Sequence, residues 1–230
     1  MSGELHSKDE IVGYCSDLYD RTRTLWRSLE GQYPTWECRF SILYGPPILR
    51  PDLLILGSNP GFDPDDLYPE EILTWPKDNE YTTQDWPLAR RLRSIFASAD
   101  LDYLLERSLG TNLIFFKSKC LGRHKETGLG WADNPLEIRR QLETYCAQEV
   151  GNLVEALEPK AVLVLGLAVF DKVTDEVVPV LGAKDRRVAA IGWMNGTKTF
   201  GMIHPTGAQV SNWDWSIVTK ELATELGGTC

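Results

Sequence analysis

Apolar residues recur at helical spacing along the first thirty positions. Ile11, Cys15, Leu18, Leu25 and Leu29 share one face behind a Ser7-Lys8-Asp9-Glu10 capping box, which predicts an N-terminal helix over about residues 7–30. Pro34, Pro46, Pro47 and Pro51 then punctuate an irregular stretch. From Asp52 to Gly57 the chain reads as one continuous apolar run that stops at glycine, the form of a buried strand entering a loop. Similar runs predict strands at Thr111 to Phe116 and Ala161 to Gly166, with shorter ones near Val188 to Ile191 and Thr199 to Ile203. Helical periodicity returns between them. Leu88, Leu92, Ile95 and Phe96 mark one helix face, with Arg90, Arg91 and Arg93 largely outside it. Asn134-Pro135 with Glu137 opens a longer helix whose stripe of Ile138, Leu142, Tyr145, Leu153 and Leu157 continues to Pro159. A helix near Leu167 to Glu176 and a last amphipathic one from about Trp213 to Leu226 complete the series.

Strand and helix thus alternate, which implies a mostly parallel sheet covered by helices on both faces. Without an internal repeat or a convincing linker, the expectation is one αβα domain spanning residues 1–230. The acidic, proline-containing stretch from Phe62 to Asp85 carries Tyr68, Trp75 and Tyr81 and leads to Trp86. A loop of that length in a compact domain is usually functional, so it is a candidate lid.

Composition narrows the choice of partner. The longest apolar run, Ala161 to Phe170, is too short to span a bilayer, and Met1 to Cys15 carries charges where a signal peptide needs an apolar segment. The expectation is a cytoplasmic, monomeric protein with no membrane partner. Five scattered cysteines argue for reduced thiols. A net charge of -9 excludes a generally basic nucleic-acid binder but leaves room for a local patch. Lys117, Lys119, Arg123, His124 and Lys125 form such a segment, read either as a phosphate contact or as a solvated loop.

In an open parallel sheet, ligands bind beyond the carboxyl ends of the strands. Three polar segments fall there: Gly57-Ser58-Asn59-Pro60-Gly61, Thr111-Asn112-Leu113 and His204-Pro205-Thr206-Gly207. Each has an ordinary structural reading, as a turn, a local backbone cap and a structural histidine. Their order and spacing together resemble the uracil-DNA glycosylase superfamily, over roughly Asp52 to Gln209. Asn59-Pro60-Gly61 is similar to the N-P-G motif of mismatch-specific and single-strand-selective members. The Asn112 strand, and Leu165-Gly166-Leu167-Ala168, resemble segments of thermostable members. His204-Pro205-Thr206-Gly207 departs from the usual H-P-S-P by its Thr and Gly.

The resemblance implies a three-layer αβα sandwich around a central, mostly parallel four-stranded sheet. It also implies a monofunctional glycosylase acting on uracil or a 5-substituted pyrimidine flipped out of DNA, without cofactor or metal. Cleaving an N-glycosidic bond leaves an anionic base and an oxocarbenium-like sugar, so the protein has to stabilise negative charge and place a water; no strong nucleophile is needed. His204 would donate to a base carbonyl, Asn59 would hold the water, and Asn112 would read the Watson-Crick edge, its amide suiting uracil or cytosine by flipping. Gly57, Ser58, Pro60, Gly61 and Phe62 would line the base. Strict uracil-specific relatives carry Tyr where Gly61 stands, so this pocket is expected to be open near C5. Trp86, ahead of the Pro87 helix, is the favoured stacking platform over Phe62 and Trp75, against the alternative of an aromatic closing on the core. Pro205, Thr206, Gly207, Ala208 and Gln209 would lie on DNA. The wedge that fills the vacated stack would fall at Ala208, which is too small, or at Gln209. Cys120 and Cys146 match two iron-sulfur ligand positions of thermostable members, but separated Cys15 and Cys38 replace the C-x-x-C that completes such a site. Two other readings remain open: a defence glycosylase dedicated to a hypermodified phage base, and a non-catalytic nucleotide or nucleic-acid binding module.

Overall fold

The apolar runs become the centre of one sheet. In the computed structural model, which describes residues 7–62, 74–206 and 210–227, the chain forms α1 (Lys8–Ser28), β1 (Leu53–Gly57), α2 (Glu80–Thr83), α3 (Pro87–Ser98), α4 (Asp102–Glu106) and β2 (Ser108–Asn112). It continues through α5 (Leu136–Leu157), β3 (Val162–Leu165), α6 (Leu167–Val173), β4 (Asp175–Leu181), β5 (Arg187–Met194), β6 (Thr197–Met202) and α7 (Asn212–Leu226). The strand order is β2-β1-β3-β6-β5-β4. Strands β2, β1, β3 and β6 are parallel, whereas β5 and β4 are antiparallel.

Alternation along the buried strands splits the core into two layers. Leu54, Leu56, Val162 and Val164 face α1, α5 and α6, while Leu53, Ile55, Leu163 and Leu165 face α3, α4 and α7. Every position of β1, β2 and β3 is buried. Among the described residues no helix is long and apolar enough to cross a membrane.

Three expectations need correction. The sheet has six strands rather than four, because the antiparallel β5–β4 pair extends the parallel part. β4 replaces the end of the predicted helix 167–176: α6 stops at Val173, and Glu176 takes a positive φ of 54° that no helix continues. Strand β2 lies earlier than Thr111 to Phe116. After Asn112 the chain leaves the β1 ladder and pairs with residues 39–41, with Ser41 N–H donating to Phe115 O at 2.9 Å and Lys117 N–H to Arg39 O at 2.9 Å. In the described part of the candidate lid, Thr74, Lys77, Asp78, Thr83, Gln84 and Asp85 are exposed, and two aromatic side chains turn inward. Trp75 packs on Tyr19 of α1 with ring centroids 5.6 Å apart, and Tyr81 is fully buried. Tyr68 lies outside the described residues.

Candidate functional site

The four parallel strands deliver one residue each to a common end of the sheet. In spatial order these are Asn112 closing β2, Gly57 closing β1, Gly166 after β3 and His204 after β6. The two central strands therefore end on glycine. Gly57 pairs with Asn112, and a Cβ at Gly57 would collide with Asn112 Oδ1, so the amide lies across β1. Gly166 adopts φ +112°, which a side chain disfavours, and the His204 Cβ is 4.0 Å from where its own Cβ would stand. The amide thus lies over Gly57 and the His204 Cβ beside Gly166, two glycines on adjacent strands, which are about 4.8 Å apart.

Asn112 is 4% exposed, and its Nδ2 donates to the Tyr44 hydroxyl at 2.7 Å. Tyr44 belongs to a segment beside β2, held by its N–H to Gly110 O at 3.0 Å. Its ring packs with Tyr81 and Trp86, centroids 5.5 and 5.8 Å away. Burial pushes the Tyr44 pKa well above the phenolic range, so the hydroxyl stays protonated and can accept from Nδ2 or donate to Oδ1. Asn112 can consequently present either end of its amide toward the crevice.

Asn59 is fixed more tightly. Its Nδ2 donates to Ser118 Oγ at 2.8 Å and to Pro60 O at 3.1 Å, while the fully buried Ser118 hydroxyl donates onward to Cys120 O at 3.0 Å. A carbonyl can only accept, so Nδ2 must face Pro60 and Oδ1 remains as an acceptor without a partner among the described residues. The loop is zipped to the chain after β2 by Leu113 N–H to Gly57 O, Ile114 N–H to Ser58 O and Ser118 N–H to Pro60 O, at 2.9, 2.9 and 3.3 Å.

His204 is oriented by Thr206, whose N–H and Oγ1 lie 3.4 and 3.3 Å from Nδ1. The backbone N–H must donate, so Nδ1 is the acceptor and the proton sits on Nε2. Burial lowers the His204 pKa from its ordinary value and keeps the ring neutral at neutral pH. The result is a neutral N–H donor.

Among the remaining expected residues, Trp86 packs against Tyr44, the partner of Asn112, whereas Trp75 packs on the opposite core layer. Phe62 and Ser58 are half-buried, and a side chain at Gly61 would meet nothing within 4 Å among the described residues. Pro205 is buried and Thr206 exposed; Gly207, Ala208 and Gln209 lie outside the described residues. Lys117 and Lys119 are half-buried beside the Asn59 loop. Arg123 and Lys125 project from a loop closed by Lys119 N–H to Leu129 O and Trp131 N–H to Cys120 O, at 2.9 and 2.8 Å. Asp133 pins that loop by accepting from the His124 and Gly130 N–H groups. Cys146 is wholly buried, accepts from Phe115 N–H, and has its thiol pushed up to about 12 by burial. Among the described residues no three His, Cys, Asp or Glu side chains converge as a metal site.

Sequence reasoning missed Tyr44 and Ser118. Neither has a local signature, since Tyr44 precedes a Gly-Pro-Pro turn and Ser118 sits between two lysines. Only tertiary pairing brings them to the amides. In comparisons with known proteins, no family model and no curated protein matches this chain.

Proposed function

We propose that the protein is a monofunctional DNA glycosylase that hydrolyses the N-glycosidic bond of uracil or a 5-substituted pyrimidine flipped out of DNA, leaving an abasic site. The observation that carries this reading is that Asn112, Gly57, Gly166 and the neutral donor His204 stand at the same end of the four parallel strands. Asn112 reads the base edge. His204 Nε2–H meets the carbonyl oxygen on which charge develops as the C–N bond breaks, a role in which one donor is worth on the order of 10²–10³ in rate. Asn59 Oδ1 accepts from the water that attacks the anomeric carbon, and the released proton passes to solvent. An amide orients this water without taking its proton, so the chemistry leans on departure of the anionic base. DNA is the partner, and the reaction needs no cofactor.

The space at Gly61, open among the described residues, favours a second, narrower reading, in which the substrate carries a hydroxymethyl or sugar-bearing group at C5 and activity on uracil is low. Such an enzyme would suit defence against phage DNA. Mass spectrometry of bases released from uracil-containing, hydroxymethylated and glucosylated DNAs tests both. Release from the modified DNAs alone selects the second reading. No release from any of them, with DNA binding retained, overturns both and leaves a binding module.

A further inference from the structure

Arg39 ends the segment that carries Tyr44, and two of its features work against the fold. Its backbone sits at φ 64°, ψ −154°, a region occupied essentially by glycine. Its guanidinium makes no hydrogen bond or ion pair among the described residues, although Nη1 is buried. A partly buried cation without a partner is unfavourable until an anion completes it.

The surroundings add positive charge. Lys117 stands opposite Arg39 across the short ribbon made by the Phe40–Phe116 bridge, its N–H donating to Arg39 O at 2.9 Å. The Lys117 and Lys119 charges are both felt at Cys38, where they oppose the burial and the Glu37 charge that push its thiol up to about 11. Glu37 itself is exposed and leaves Arg39 unpaired. The next residue after Lys117 is Ser118, the hydroxyl that orients Asn59.

We propose that Arg39, flanked by Lys117 and Lys119, binds a phosphate group, and that this is the phosphodiester beside the flipped nucleotide. A guanidinium presents parallel N–H donors that match a phosphate bidentately. The DNA source rests on the glycosylase reading; the phosphate chemistry does not.

The test compares wild type with Arg39→Gln and Arg39→Gly, the second of which suits the observed backbone and so keeps the fold. Affinity for an undamaged single-stranded oligonucleotide is measured across salt concentrations, and melting is followed with and without inorganic phosphate. The expected result is at least about tenfold weaker binding in both variants, with a log K versus log salt slope shallower by about 0.7. Inorganic phosphate should raise the melting temperature of wild type more than that of either variant. A lost phosphate response with unchanged oligonucleotide affinity keeps the phosphate site and overturns DNA as its source. Unchanged affinity, slope and phosphate response in Arg39→Gly overturn the site itself. Base release is not read, so failure of the glycosylase reading would show separately.

Discussion

Replacing Gly57 by Ala adds a single methyl group to a strand that accepts it, because Gly57 has no left-handed φ to protect. The consequence falls on Asn112, whose Oδ1 lies where that methyl would go. To restore an ordinary contact the amide has to swing by about 1 Å, a misplacement at which a reacting site loses on the order of a hundredfold in rate. The same swing breaks the 2.7 Å bond to Tyr44. Losing one buried hydrogen bond costs about 1 kcal/mol, and for a chain of this size that lowers Tm by roughly 2–4 °C. Gly57→Ala is therefore expected to melt almost as wild type while base release in single turnover falls about hundredfold, or about 2.7 kcal/mol. Asn112→Ala clears the obstructed space, so adding Gly57→Ala to it should cost no further stability, giving a coupling of about 1 kcal/mol. A Gly57→Ala protein that releases base within about threefold of wild type would refute the assignment of Asn112 to the base edge.

His204→Ala and Asn59→Ala should each slow base release by at least about tenfold, a loss of over about 1.4 kcal/mol, with DNA affinity retained; unchanged single-turnover rates in both would remove the mechanism. Gly61→Tyr should abolish release of bulky 5-substituted bases while sparing uracil, since the ring would fill the open space at C5; unchanged processing of the bulky base by a well-folded variant would show that Gly61 faces elsewhere. Base release should stay level as pH falls from 8 through about 6.5 and decline only below, because burial lowers the His204 pKa and the neutral ring is the donor. The stability contribution follows the same sign: it is present above the unfolded value of about 6.5 and is lost as pH falls through the lowered folded value, which acid titration of Tm reads directly.

The central strands were legible because they are buried on both faces and so read as unbroken apolar runs, as Leu53 to Leu56 and Val162 to Leu165 do. Strand β2 was displaced because its own residues, Ser-Leu-Gly-Thr-Asn, are mostly small or polar, while the apolar run that followed them is buried in a ribbon with residues 39–41. β4 has no apolar alternation to find, since nearly all its positions are exposed, and Pro179 argues for an edge. Asn59, Asn112 and His204 stood out as polar residues where strands end. What orients them did not, because Ser118, Tyr44 and the close pairing of Gly57 with Asn112 are products of register between segments far apart in the chain.

Strand β6 sits between β3 and β5, joined to β5 by Asn195 and Gly196, both at positive φ, the turn that closes a two-residue hairpin. Such a hairpin forms within about 1–10 μs of its synthesis, and His204 then docks with it as one prefabricated piece. Asn112 is made earlier by about ninety residues, which at roughly 5–20 residues per second is on the order of ten seconds. β3 is complete at Leu165, about thirty residues before β6 begins at Thr197, so for the last few of those seconds its flank has no partner and waits as a bare edge, the kind on which growing chains aggregate. A transcript cut short before Thr197 would therefore yield a sticky product that lacks both β6 and His204.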